Sequence, residues 1–83
     1  MLIDIIAVKV TGDYTLHLQF EDGIEGSVDI STIIPFEGIF KKLKDKKYFA
    51  TVRVEKDLGT IVWDNGADLS PSYLYTIIQN KVA

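Results

Sequence analysis

The sequence predicts an α+β domain: one antiparallel sheet of about five strands in the order β-β-β-α-β-β-α, with two short helices packed on its apolar face. Three observations carry this. Five short stretches alternate apolar with polar residues, turn residues divide them into hairpins, and two further stretches switch to helical spacing. With 83 residues, no repeat and no low-complexity run, 1–83 reads as a single domain.

Ile3 to Val10 is rich in β-branched residues, with Ile6, Val8 and Val10 alternating with Ala7 and Lys9, as a strand requires. Thr11-Gly12-Asp13 breaks it. Tyr14, Leu16, Leu18 and Phe20 then alternate with Thr15, His17 and Gln19, the pattern of a strand with one wet face. After Glu21-Asp22-Gly23, a three-residue loop with Gly23 in the left-handed region pairs Phe20 with Ile24, Leu18 with Gly26, Leu16 with Val28 and Tyr14 with Ile30. A two-residue loop would set Phe20 opposite Glu25 and drive acidic side chains into the core, because directly paired residues share a face. The same test at the first turn pairs Val10 with Tyr14 and Val8 with Leu16, completing a three-stranded meander.

Ser31 reads as the cap of a single turn that Pro35 ends. Phe36, Ile39, Phe40 and Leu43 follow at i, i+3, i+4 and i+7, a helical stripe with Lys41, Lys42 and Lys44 mostly opposite it. Gly38 weakens that helix near its start, and Asp45 caps one further turn carrying Tyr48 and Phe49. Two more strands follow: a loop over Lys56-Asp57-Leu58-Gly59 pairs Val54 with Ile61 and Val52 with Trp63, apolar against apolar.

The run from Ile61 to Tyr75 holds the only Trp and the densest turn chemistry. Asn65-Gly66 bends the backbone just after the indole. Ser70-Pro71 reads as an N-cap followed by proline at N1, where the missing amide hydrogen costs nothing, and Leu69 with Leu74 fits a hydrophobic staple. Leu74, Ile77, Ile78 and Val82 place one stripe of the terminal helix on the core, with Trp63 the surface it is expected to meet. Trp63, Asn65, Gly66, Asp68, Ser70 and Pro71 are thus the structural turn and helix cap.

The formal charge of −3 is unevenly spread: five Lys and one Asp lie between Lys41 and Lys47, and the rest of the chain carries −7. Lys41, Lys42, Lys44, Lys46 and Lys47 are the candidate partner-binding residues. Their plainer reading is a solvated helix face beside acidic strands, and a nucleic-acid domain is more often basic overall. No cysteine is present, Asp4 stands where a signal peptide carries basic residues, and no apolar run approaches the roughly 20 residues of a membrane span. A cytoplasmic protein with no membrane association is expected.

No zinc-ligand set, phosphate-cradling glycine motif or pair of catalytic carboxylates is recognisable, so no catalytic residue, cofactor or metal site is assigned. His17 with Ser27 and Asp29 resembles a nucleophilic set only in composition, since those residues lie along an open sheet face; a solvated strand histidine is the plainer reading. Asp64 and Asp68, with Asp57 and Asp22 as neighbours if the hairpin tips gather, lack calcium-loop spacing and read as turn and helix-start chemistry. An aromatic platform of Trp63, Tyr48, Tyr73 and Tyr75 competes with the plainer reading of Trp63 as core; Tyr73 and Tyr75 flank the Leu74 stripe, which leaves at least one partly exposed.

Phe20-Glu21-Asp22-Gly23, Val28-Asp29-Ile30-Ser31, Gly38-Ile39-Phe40 with Leu43 and Asp45, Tyr48-Phe49, and above all Trp63-Asp64-Asn65-Gly66-Ala67-Asp68-Leu69-Ser70-Pro71 with Leu74-Tyr75 resemble the bacterial domain of unknown function 2442 family. Asp64 and Lys46 stand where proline is frequent in that pattern, so those two turns are expected to differ. The resemblance implies a compact α+β domain without established activity or catalytic residues. It also implies genes set beside another small protein in a toxin-antitoxin-like pair, and fusion in some members to a helix-turn-helix reader; with the sequence stopping at Ala83 right after the terminal helix, no such reader is expected here, and any DNA role is expected to need a partner.

The expected function is therefore a non-enzymatic partner-binding or regulatory domain, the antitoxin-like member of a two-protein unit, with a small protein encoded nearby as its partner. A nucleic-acid accessory module using Lys41 to Lys47 is the alternative, though direct nucleic-acid binding is disfavoured; a metal-dependent hydrolase at Asp64 and Asp68 ranks below it. A homodimer formed through a free sheet edge is a further expectation.

Overall fold

The computed structural model describes residues 3–82, apart from the side chain of Val82; that last member of the terminal stripe and the ends of the 1–83 domain assignment lie outside the described residues. Three strands, β1 (Ile5–Val10), β2 (Thr15–Phe20) and β3 (Glu25–Asp29), form an antiparallel sheet in the order β1-β2-β3. A short 3₁₀ turn (Ile30–Thr32), a 3₁₀ helix (Gly38–Lys44) and a single α-helical turn, α1 (Lys46–Phe49), follow. A second sheet of β4 (Arg53–Glu55) and β5 (Thr60–Val62) precedes the terminal helix α2 (Pro71–Val82). The α+β class with antiparallel sheets is present, but the expected single five-stranded sheet divides into two.

The reason lies in β1. Ile5 pairs with Phe20 and Ala7 with Gln19, so an extra residue, Ile6, is bulged out of the ladder. The bulge keeps Ile5 in the core at 1% exposure and turns Ile6 out at 55%. Bulges also bend a strand and end pairing. The Ile5 N–H instead donates to the Gly59 C=O, in the loop just before β5, at 2.9 Å. With only three residues each, β4 and β5 are too short to extend the ladder further.

β2 and β3 pair in the expected register, Leu16 with Val28 and Leu18 with Gly26, and Gly23 takes φ 92° in the loop. β4 and β5 likewise pair Val54 with Ile61. The first hairpin differs: Val10 pairs with Leu16 and Val8 with Leu18, a slip of two residues from the expected pairing. An even slip leaves every side chain on its face. Tyr14 decides it: its C=O still accepts from Ile30 N–H at 2.8 Å, while its ring packs edge-on against Phe36 and Phe49 and so leaves β1.

The core is continuous from the sheet to the helices, taking Leu16, Leu18 and Phe20 from β2, Val28 from β3, Phe49 from α1, Ile61 from β5, Trp63, and Leu74 and Ile78 from α2. Helix α2 starts as expected, with Ser70 Oγ accepting from Tyr73 N–H at 3.4 Å and Pro71 at N1. It shares the buried core with Trp63 and lands closely on β3 and β2: Ile78 sits where a Cβ on Gly26 would lie 2.6 Å from its Cγ2, and Tyr75 packs edge-on against Phe20 at 5.0 Å. The Ile30–Thr32 turn is capped by Asp29, which accepts from Ser31 N–H, and not by Ser31.

Candidate functional site

The lysine-bearing stretch departs most from its expected form. Gly38–Lys44 winds as a 3₁₀ helix, with Phe40 N–H donating to Glu37 C=O and Asp45 N–H to Lys42 C=O, both i to i−3. In that winding residues three apart eclipse, giving three ridges. Phe40 and Leu43 form the inner one, Lys41 and Lys44 a second, and Ile39 and Lys42 the third. Leu43 is fully buried, whereas Ile39, expected in the core, is 53% exposed. The start explains the pitch: Gly38 has φ 57°, a left-handed entry that an α-helix does not continue, and Glu37 supplies no side-chain cap. Asp45 then caps α1, its carboxylate accepting from Lys47 N–H at 2.9 Å.

Lys41, Lys42, Lys44, Lys46 and Lys47 are all exposed along the two segments Gly38–Lys44 and Lys46–Phe49, which together make a lysine ridge. Among the described residues one of them, Lys46, forms an ion pair, with Asp13 at 3.2 Å, and Lys42 Nζ lies 5.6 Å from the Tyr48 ring centroid. The backbone beneath them is fixed at three points. Tyr14 Oη donates to Lys44 C=O at 2.5 Å, the indole Nε1–H of buried Trp63 donates to Phe49 C=O at 2.9 Å, and Asn65 Nδ2 donates to Ile39 C=O at 2.9 Å. Asn65 Oδ1 also accepts from Ala67 N–H at 3.1 Å, so one side chain ties its own turn to the start of the lysine ridge. The turn Trp63-Asp64-Asn65-Gly66 is thus a clamp: two of its side-chain donors hold the two successive helical segments. Gly66 closes it at φ 85°, and Asp68 pairs in a bridge with Val62.

The other residues singled out in the sequence take different partners. His17 lies opposite Ser27, with Nδ1 3.2 Å from Ser27 Oγ, but its other nitrogen meets Glu25 at 3.1 Å. Asp29 instead accepts from Ser31 N–H and Oγ–H. The acidic residues do not gather: Asp64 pairs with Arg53 at 2.9 Å and Asp22 accepts from Tyr75 Oη at 2.6 Å. No group of three or more metal-ligating side chains occurs among the described residues. The four aromatics do not share a platform either, since Trp63 is fully buried while Tyr73 is 45% exposed and donates to Ile33 C=O.

Tyr75 and Asp22 perturb each other. The Tyr75 hydroxyl, and then the Ile24 amide, hold the Asp22 carboxyl below its ordinary 3.8. The same bond, with lesser help from desolvation, raises Tyr75 above the usual 10.0. Gln79 Nε2 donates to the Tyr75 oxygen at 3.2 Å, beside a shallow depression of about 240 Å³ lined by Ile3, Ser72, Tyr75, Thr76 and Gln79. No helix of the described residues is long and apolar enough to cross a membrane.

The five lysines stand out in the sequence by their charge; the exposure of Ile39 and the hydrogen bonds of Asn65 and Tyr14 to the backbone beneath them do not. The available signal was Gly38 directly before Ile39, which interrupts the stripe where α-helical spacing would bury it. A family model described as "Protein of unknown function (DUF2442)" matches residues 5–80. No curated protein and no solved structure matches the chain.

Proposed function

The chain belongs to the DUF2442 family, and from that premise we propose that it is a non-enzymatic partner-binding domain whose contact surface is the lysine ridge of Gly38–Phe49. One observation carries this reading: five exposed lysines stand on a backbone held from below by Tyr14, Trp63 and Asn65, and only Lys46 has an ion-pair partner among the described residues. Fixing the backbone lowers the ordering cost of association, and unneutralised ammonium groups speed encounter with an anionic surface. The family resemblance adds the form of the unit, an antitoxin-like or regulatory protein and a small partner encoded beside it.

Co-expression with the product of the neighbouring gene tests it. A micromolar complex that weakens with salt and with the triple substitution Lys41→Glu, Lys44→Glu, Lys47→Glu is the expected result. Two folded proteins that form no complex would overturn it.

A further inference from the structure

The 3₁₀ winding places an apolar side chain among the cations. Ile39 is 53% exposed and shares its ridge with Lys42, three residues on, while Lys41 and Lys44 form the neighbouring ridge. Its carbonyl is fixed by Asn65, so its position is built and does not come from a loose end. Branched aliphatic residues are better buried, and a binding surface that combines an apolar anchor with charged residues beside it is a common layout of a protein contact. We infer that the ridge takes an acidic, amphipathic protein segment, with Ile39, at the start of the ridge, as the anchor that its apolar side chains cover and the lysines that follow it meeting its carboxylates. This rests on the partner-binding reading and names the chemistry of the partner.

Charge complementarity chooses that occupant. The ridge carries +4 between Lys41 and Lys47 against −7 elsewhere, so an acidic surface is attracted to this stretch more than to the rest of the chain. A nucleic acid fits less well. No arginine lies on the ridge to read bases or fork onto phosphates, an isoleucine offers no stacking face, and Tyr48 is half-buried with Lys42 beside its ring. The remaining −7 repels a long polyanion.

The test is fluorescence anisotropy of the full chain with a labelled synthetic helical peptide that has glutamates on one face and leucines on the other. The comparators are the same peptide with every leucine replaced by serine and a single-stranded DNA of equal charge. The expected result is that the amphipathic peptide binds, and that Ile39→Ser weakens it by about tenfold without changing the thermal midpoint, as truncating an exposed anchor does. Replacing leucine by serine in the peptide should weaken binding similarly. Equal affinity for the serine peptide, or for the Ile39→Ser protein, overturns the apolar anchor while leaving a lysine-mediated contact standing. DNA binding as tight as the peptide overturns the choice of partner. If neither acidic peptide binds, the inference falls; if the neighbouring gene's product also forms no complex, the partner-binding reading falls with it.

Discussion

In α2, Leu74 and Ile78 are buried at 0% and 1%, whereas in Gly38–Lys44 the corresponding stripe splits, with Leu43 at 0% and Ile39 at 53%. Both segments begin from i, i+3, i+4 spacing of apolar residues, so periodicity alone does not separate them. Their entries do. α2 has a serine cap and proline at N1, which set α-helical pitch from the first turn. The other segment enters through Gly38 at φ 57° without a side-chain cap and winds three residues per turn. The spacing decides which residues can be inside, while the entry decides which of them are. One helix becomes a lid fastened to the sheet, the other a displayed ridge fastened by a turn.

The two fastenings can be broken separately. Trp63→Ala should have the largest effect, about 3–5 kcal/mol of stability, since it removes a fully buried indole and strands the Phe49 carbonyl. Urea unfolding measures it, and a cost near zero would show that the indole does not hold the ridge. Gly26→Ala attacks the other fastening: its Cβ would lie 2.6 Å from Ile78 Cγ2, and overpacking of this kind costs about 1–3 kcal/mol. Amide exchange should then rise in α2 before the lysine ridge.

Ser70→Ala and Asn65→Ala form a matched pair. Each removes one hydrogen-bonding side chain and should cost about 1 kcal/mol. The cap substitution should leave peptide binding unchanged, while Asn65→Ala should weaken it by freeing Ile39. Equal binding by both variants would mean that the clamp does not position the ridge.

The smallest effect is the pH dependence of the Tyr75–Asp22 bond. Asp22 has its folded value lowered, so its contribution is present above 3.8 and fades as pH falls through the lower folded value. Tyr75 has its folded value raised, so its contribution is present below 10.0 and fades as pH rises through the higher folded value. The stability difference between the wild type and Tyr75→Phe should be flat between these limits and shrink outside them. A difference that changes near neutrality would assign the effect to another group.

Much of the sheet was legible because wrong pairings carry a penalty. At Gly23 the competing register puts Glu25 opposite Phe20, so the choice is forced. At the first hairpin two registers both set apolar on apolar, and the deciding contacts, from Tyr14 to Phe36 and Phe49, come from residues far along the chain. The division into two sheets turns on a bulge at Ile6, which no periodicity marks because Ile5 and Ile6 are alike. The ridge was legible as charge. Its apolar member was not, because reading Ile39 as exposed requires knowing the pitch.

Winding at Gly38–Lys44 is therefore the decisive point, and the absence of native cysteine makes it measurable. Single thiols introduced as Ile39→Cys, Leu43→Cys and Ile78→Cys can be timed against a soluble disulfide reagent under native conditions. The Ile39→Cys thiol should react like a free surface thiol, with the other two slower by at least about a hundredfold, since they react only through opening. An Ile39→Cys thiol as protected as that of Leu43→Cys would return Ile39 to an α-helical inner stripe and contradict the account.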